Sequence, residues 1–383
     1  MATVARVVLV NNSRETFTPT VSGAIATCLW EVARAARDSG VEPLVVTRPS
    51  PAPTYDWPRL TTVRTREPWR PGGERTDRAV RRVTGWAHRT QAAYADAVSR
   101  ALRGAPPGTV VVCNNDPEVA VHLRRAMPTA RVVHWFHNLE LARDPWRRGY
   151  ARSGVRSVAV SDYLARAVEQ VYGLTPRTVR TAWNGIDLDR FHPAPTPRSG
   201  PPVVGFLGRL AVEKGPDVLL HALLELDARG TPFGVQVLGD TNWGFDDGGP
   251  FGREVRGLLD ALRARGVPVA HPGHVARDDV PQRLRAADVH AVPSRWDEPF
   301  GLTTLEGMAT GLATVGTATG GTPEVLGEAG ILVPRESPRD LADALGRLLG
   351  DPTERDRRGA AARARAATFT WSRTWERLGV HGP

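Results

Sequence analysis

Residues 286–324 read AADVHAVPSRWDEPFGLTTLEGMATGLATVGTATGGTPE. AADVHAVPS is a short apolar run closing at Pro293, the pattern of a buried strand, and TTLEGMATG has helical spacing with Gly311 just past its end. ATVGT is apolar again. A strand, a helix and a second strand in so short a span predict a crossover between parallel strands. Glu298 then falls in the strand-to-helix loop, around Phe300, Gly301 and Leu302, and Glu306 falls in the first helical turns. The loop amides and the helix N-terminus offer an anion site, while the two carboxylates accept hydrogen bonds from hydroxyls. That combination suits a phosphate flanked by two sugars, the chemistry of a nucleotide-sugar.

The same grammar runs outward in both directions. ARVVLV, EPLVVT, GTVVVC, RVVHWF, SVAV and TVRTAW read as strands in the first half, with helices at 23–39, 77–103 and 162–172. PVVGFLG, FGVQVLG, VPVAHPG, VHAVPS, ATVGT and GILVP alternate in the second half with PDVLLHALLELDARG, FGREVRGLLDALRARG and SPRDLADALGRLLG. HPAPTPRSGPP, residues 192–202, is too rich in proline for either element and reads as a linker. The expectation is α/β, two doubly wound units in succession, with ligands held beyond the carboxyl ends of the strands and a cleft where the units face each other.

A chain of 383 residues, 41% hydrophobic, is long enough for two domains. No apolar run is long enough to span a bilayer and MATVARVVLVNNS lacks a cleavable signal pattern, so a cytoplasmic protein is expected. Cys28 and Cys113 have no metal-ligand or disulfide spacing and read as small core residues. The formal charge of +9 is lopsided. Residues 1–195 carry 28 arginines, no lysine and 17 acidic residues, whereas residues 196–383 carry 22 basic and 24 acidic residues. Arginines crowd between Arg59 and Arg103, at Arg64, Arg66, Arg70, Arg75, Arg78, Arg81 and Arg82. Such a patch attracts an anionic acceptor or the anionic inner face of a membrane; a solvated Arg-rich face is the alternative. No nucleic-acid module accompanies the charge. Scarce Lys with abundant Arg, Ala and Pro is the composition of a high-GC bacterial gene.

The only lysine, Lys214, sits in VVGFLGRLAVEKGPD with Arg209, between a strand ending at Gly208 and a helix beginning near Pro216. A compact ammonium and a planar guanidinium leaving one strand end make a clamp for a diphosphate. Ser22 and Gly23 open the first helix, where a glycine amide can approach a phosphate or sugar, or serve merely as a helix start. His137 follows the strand RVVHWF and is placed to donate to a sugar hydroxyl, whereas His134 lies within the strand and reads as core. Asp187 and Asp189 look like a metal-binding DxD, but with Asn184 and Gly185 they read better as a turn. There is no P-loop, GxSxG elbow, HExxH or cysteine cluster.

These segments, in this order, resemble a retaining glycosyltransferase of family 4 with the GT-B fold, and the resemblance covers nearly the whole chain. SGAIATCLWEVARA is similar to the family's glycine loop, with Ser22–Gly23 in place of the common Gly-Gly, and VVHWFHNLE to its histidine strand. GRLAVEKGPDVLL is similar to its phosphate clamp and DEPFGLTTLEGMATG to its paired-glutamate motif, followed by TATGGTPEVL and FTWSRTWERL. The wording is nearest to the spore-coat and lipopolysaccharide-type branch.

The resemblance implies an acceptor-binding domain over 1–195, a donor-binding domain over 196–368, and a helix over 369–383 that crosses back to the first domain. It implies that Arg209 and Lys214 bind the donor diphosphate and that Glu306 holds the ribose. Glu298 with the Phe300, Gly301, Leu302 and Thr303 segment would hold the transferred sugar, His137 would meet that sugar, and Gly23 would lie near the phosphates. A UDP-sugar donor, a glycan, glycolipid or specialised-metabolite acceptor, no metal or other cofactor, and same-face attack with retention are the further implications. A sugar-nucleotide epimerase or phosphorylase on the same fold, and a non-catalytic Arg-rich scaffold, are the alternatives.

Overall fold

The computed structural model describes residues 6–20, 23–65, 89–139, 144–196, 199–241 and 249–380. The chain divides into two compact units, Met1–Gly185 with Trp371–Pro383, and Ile186–Thr370. In the first, β1 (Val7–Val10), β2 (Leu44–Thr47), β3 (Leu60–Thr62), β4 (Val110–Asn114), β5 (Arg131–Phe136), β6 (Arg156–Ala159) and β7 (Arg180–Thr181) form one sheet. Its order is β3, β2, β1, β4, β5, β6, β7, and every pairing is parallel. The helices are α1 (Ala24–Asp38), α2 (Arg89–Ala101), α3 (Pro117–Ala126), α4 (Asp144–Ala151) and α5 (Asp162–Tyr172).

The central strands are continuous apolar runs because both of their faces are covered: every residue of VVLV in β1 and VVVCN in β4 is buried. β3 was not expected from the sequence. It is a three-residue, mostly half-exposed edge, LTT, too short and too polar to stand out by periodicity. Cys28 and Cys113 are both buried and not in a disulfide, as expected of core residues. The helix expected over 77–103 is seen from Arg89 onward. Ser22, Arg66, Arg70, Arg75, Arg78, Arg81 and Arg82 lie outside the described residues.

In the second unit β8 (Val203–Leu207), β9 (Gly234–Leu238), β10 (Val269–Gly273), β11 (Val289–Val292), β12 (Ala313–Thr317) and β13 (Ile331–Val333) pair in parallel in the order β10, β9, β8, β11, β12, β13. Helices α6 (Pro216–Ala228), α7 (Gly249–Ala264), α8 (Val280–Leu284), α9 (Leu302–Ala309), α10 (Thr322–Leu326), α11 (Pro338–Gly350) and α12 (Pro352–Ala366) connect and follow them. Its core gathers Val204, Phe206, Leu219, Leu223, Val235, Val289, Val315 and Leu345 from strands and helices alike.

The division falls after Gly185, ahead of the proline-rich segment expected to be the linker. Hydrogen bonds explain the shift. The Ile186 N–H donates to Phe369 O at 3.0 Å, and the Arg363 guanidinium on α12 donates to the carbonyls of Leu188, Phe191 and Ala309. Residues 186–191 are thereby tied into the second unit. Helix α13 (Trp371–Arg377) returns to the first unit. There Trp375, 1% exposed, donates its indole N–H to Ser39 Oγ at 3.0 Å, and the Thr374 hydroxyl donates to Trp183 O at 2.6 Å.

In each unit the strand order reverses direction once, between β1 and β4 and between β8 and β11. Neighbouring crossovers leave on opposite faces at such a point, opening a crevice at the carboxyl ends of the strands. Among the described residues no helix is long and apolar enough to cross a membrane.

Candidate active site

Lys214 follows β8 in a single 3-10 turn, Val212–Lys214. Gly215 then takes φ 64° and Pro216 starts α6, a sequence of glycine and proline that ends one helix and begins another within two residues. No other residue type fits at Gly215, because a Cβ there would overlap the carbonyl oxygen of Pro293 at the end of β11. This close approach brings the two loops of the switch point together. Lys214 Nζ lies 2.7 Å from Glu298 Oε1 and 5.5 Å from the centroid of the Trp296 ring. Glu298 Oε1 also accepts the Ser294 hydroxyl at 2.6 Å.

Arg295 braces the same two loops from behind. Its guanidinium forks onto both carboxylate oxygens of Asp217 on α6, at 2.6 and 2.5 Å, and donates to Val212 O at 3.1 Å and Glu336 at 2.9 Å. This bidentate geometry fixes orientation as well as distance. Gly320 and Gly321 lie across the backbone of residues 297–300, where a Cβ on either would overlap it, and the Gly321 N–H donates to Glu298 O at 2.6 Å. Nothing in the sequence marked Arg295 or the glycine pair as supports for Glu298, because their partners are distant in the chain.

Gly301, at φ 99°, caps α9, and Leu302 and Thr303 are its first residues, so their N–H groups lack intrahelical acceptors. Phe300 is 2% exposed, and its ring packs edge-on against that of Phe369 at 5.9 Å. His290, in β11, makes a 3.0 Å hydrogen bond from Nε2 to Thr303 O and sits where a Cβ on Gly307 would overlap its ring. The helix start is therefore seated directly on the strand.

Arg209 is not drawn into this cluster. Its guanidinium pairs with Glu213 of the same loop at 2.8 Å, with both side chains substantially exposed. Glu306 is wholly buried and has Arg277 Nη1 2.5 Å from its Oε1. The pair is within ion-pair distance but misaligned, and neither Glu306 oxygen has a hydrogen bond among the described residues. Arg277, which also lies 5.9 Å from the Phe191 ring, was not legible as a partner of Glu306 in the sequence.

In the first unit, the N-terminus of α1 already holds a carboxyl group. Glu15 Oε2 accepts from the Ala26 N–H at 3.1 Å, and a Cβ on Gly23 would press on that carboxylate. Burial pushes the Glu15 carboxyl above its ordinary range, against the lowering pull of the Ala26 and Gly23 amides. The Gly23 amide thus serves a side chain of its own loop. His137 lies just past β5, and burial lowers it to about 3, so its ring is neutral at neutral pH. Its Nε2 is 3.2 Å from Asn114 Oδ1. His134 is fully buried, with Nδ1 3.0 Å from the Tyr150 hydroxyl. Asp187 Oδ1 accepts the N–H groups of Asp189 and Arg190 at 3.0 and 3.2 Å, a turn as the sequence suggested.

Residues 25–190 match the family profile described as Glycosyltransferase Family 4, and residues 201–351 match that described as Glycosyl transferases group 1. Spore coat protein SA of Bacillus subtilis (strain 168) is 28% identical over 319 residues, 76% of this chain and 82% of that protein. D-inositol 3-phosphate glycosyltransferase of Corynebacterium jeikeium (strain K411) is 37% identical over 226 residues, 54% of this chain and 52% of that enzyme, so the chain spans about half its length. Sucrose-phosphate synthase from Thermosynechococcus elongatus superposes with a TM-score of 0.74 at 20% identity, over 98% of this chain and 97% of that one. HepE from Anabaena, solved in complex with UDP and glucose, superposes at 0.71 with 18% identity over 98% of both chains. These structures establish the fold, two Rossmann-like units of the GT-B type. With its two halves matching these two glycosyltransferase profiles in order, the chain is a transferase enzyme of the glycosyltransferase type.

Proposed function

We propose that the chain moves a sugar from a UDP-sugar to a hydroxyl of a glycan, glycolipid or small-molecule acceptor, with retention at the anomeric carbon and without a metal. The observation that carries this reading is the Lys214–Glu298 pair at 2.7 Å, seated between the N-termini of α6 and α9 at the β8/β11 switch point. A diphosphate placed there meets an ammonium and two helix ends whose unpaired amides favour anions. The buried Glu306 carboxylate, whose oxygens lack hydrogen bonds among the described residues, offers acceptors for a pair of ribose hydroxyls. Arg209 reaches the diphosphate by leaving Glu213, an exposed i,i+4 pair of little stability. HepE, a neighbour in fold, was solved with UDP and glucose, which supports UDP as the nucleotide.

In the reaction, the bond from the anomeric carbon to the diphosphate oxygen breaks as the acceptor oxygen bonds to the same face of that carbon. The departing diphosphate oxygen takes the acceptor's proton. Lys214 and the helix amides stabilise the negative charge as it develops on the leaving group, where fixed donors act most strongly. Glu298, engaged by Lys214 and Ser294, orients sugar hydroxyls rather than acting as the acid or nucleophile of a glycosidase.

The test is release of nucleotide by the purified chain from UDP-glucose, UDP-galactose, UDP-N-acetylglucosamine and GDP-mannose, with and without EDTA. Mass spectrometry of an acceptor extract and NMR of the new anomeric centre complete it. UDP release insensitive to EDTA, and a product with the donor's anomeric configuration, are expected. Release from GDP-mannose alone, dependence on a divalent cation, or an inverted product would each overturn the corresponding part.

A further inference from the structure

The carboxyl edge of the first sheet holds a buried amide network that the proposed reaction leaves unexplained. β4 ends in Asn114, wholly buried, and the chain turns through Asn115 at φ 47°, a left-handed conformation that asparagine tolerates better than most residues. Asn115 Oδ1 accepts the backbone N–H groups of His137 at 2.8 Å and Asn138 at 2.7 Å, which fixes the loop that follows β5. Asn12 Nδ2 in turn donates to Asn115 O at 2.9 Å.

Asn114 carries a more specific consequence. Its Nδ2 donates to Val10 O at 3.0 Å, and a peptide carbonyl can only accept, so the orientation of the amide is set by chemistry. Oδ1 is then the atom facing His137 Nε2 at 3.2 Å, and an amide oxygen can only accept as well. The hydrogen therefore resides on Nε2. His137 is 7% exposed and neutral at neutral pH, which leaves Nδ1 as a bare lone pair, and Nδ1 has no hydrogen-bond partner among the described residues.

We propose that Asn114 is a positioning residue that locks His137 as the Nε2–H tautomer, so that Nδ1 accepts a hydrogen bond from a hydroxyl of a ligand at this edge. The donor role expected of His137 is thereby reversed. A bare Nδ1 favours a neutral sugar or polyol hydroxyl and disfavours a phosphate or carboxylate oxygen, which would meet it lone pair to lone pair. The identity of the ligand as a sugar rests on the glycosyl-transfer reading; the tautomer does not.

The experiment is long-range proton–nitrogen NMR of the full chain labelled with 15N-histidine at pH 7, with His137 assigned from the His137→Gln spectrum. The expected result is a pyrrole-type Nε2 and a pyridine-type Nδ1 in the wild type. Asn114→Ala should give a mixture of tautomers, and Asn114→Asp, whose carboxylate also accepts, should restore the Nε2–H form. Protonated Nδ1 in the wild type, or an Asn114→Ala spectrum identical to it, overturns the lock. UDP-glucose and methyl glucoside are then titrated in turn, and an upfield shift of Nδ1 with either supports acceptance of a hydroxyl; no shift with either overturns that half. Failure of the glycosyl-transfer reading shows separately, as absence of nucleotide release by the wild type.

Discussion

Lys214 Nζ and Glu298 Oε1 lie 2.7 Å apart although 84 positions separate them in the chain, and the lysine is 22% exposed while the carboxylate is 8% exposed. Removing the cation by Lys214→Ala leaves the carboxylate with Ser294. Donor-dependent nucleotide release is expected to fall by at least about 100-fold, the scale of losing one fixed donor to a developing anion. Far-UV circular dichroism should be unchanged. Lys214→Arg checks the role of the compact charge, since a guanidinium spreads its charge over a plane. Turnover of this variant within a factor of two of wild type would remove the argument for the ammonium.

Gly215 and Gly257 should respond oppositely to alanine. At Gly215 the new Cβ meets Pro293 O and the residue is held at φ 64°, so Gly215→Ala is expected to destabilise the second unit by about 2 kcal/mol or more, from strain and overpacking together. Gly257 lies on the exposed face of α7 with open space around its Cβ. Gly257→Ala is expected to stabilise by about 0.5–1 kcal/mol through helix propensity. Chemical denaturation of the two variants beside wild type reads both signs.

The Arg277–Glu306 pair predicts a non-additive pattern. Arg277→Ala removes the guanidinium 2.5 Å from a wholly buried carboxylate, and a loss of about 3 kcal/mol is expected for an uncompensated buried charge. Adding Glu306→Gln removes that charge, so the double variant should be more stable than Arg277→Ala alone. If the double variant unfolds at the same denaturant concentration as Arg277→Ala, or lower, the guanidinium is not what compensates Glu306.

Burial lowers His290 to about 4 in the folded chain, below its ordinary 6.5. Its stabilising contribution is therefore complete above pH 6.5 and is lost as pH falls toward 4, because unfolding then takes up a proton. The slope from one such group is about 1.4 kcal/mol per pH unit. His290→Gln should be less stable than wild type at pH 7.5, and the gap should narrow by pH 5. A gap that stays constant in thermal melts would mean that His290 does not titrate on unfolding.

Much of the fold was legible because parallel α/β layers announce themselves locally. RVVHWF and ATVGT occupy the residues expected of them, and α5 spans Asp162–Tyr172 as the helical spacing indicated. Ser161 caps it through the Leu164 N–H at 2.9 Å, and Gly173 ends it in the left-handed conformation. β3 escaped because a half-exposed edge of three residues has no period to read. The boundary at Gly185 escaped because proline content suggests where a chain is extended, whereas the Ile186 and Arg363 hydrogen bonds decide to which unit it belongs.

For the candidate site, the sequence by itself determined which chemistry is present: one lysine after β8, two glutamates around the start of α9, and glycines at the turns that need positive φ. Each of these follows from residue type and short-range spacing, which set strand ends, caps and helix faces. Only the tertiary structure decided the pairings. Sheet order brings β8 beside β11, and so Lys214 against Glu298 and Arg295 against Asp217; it also brings β4 beside β5, and so Asn114 against His137. It likewise turned Arg277 toward Glu306, and Glu15 onto the amides of α1. A side chain's partner depends on which loops converge, and that convergence is a property of the folded sheet rather than of any local run of residues.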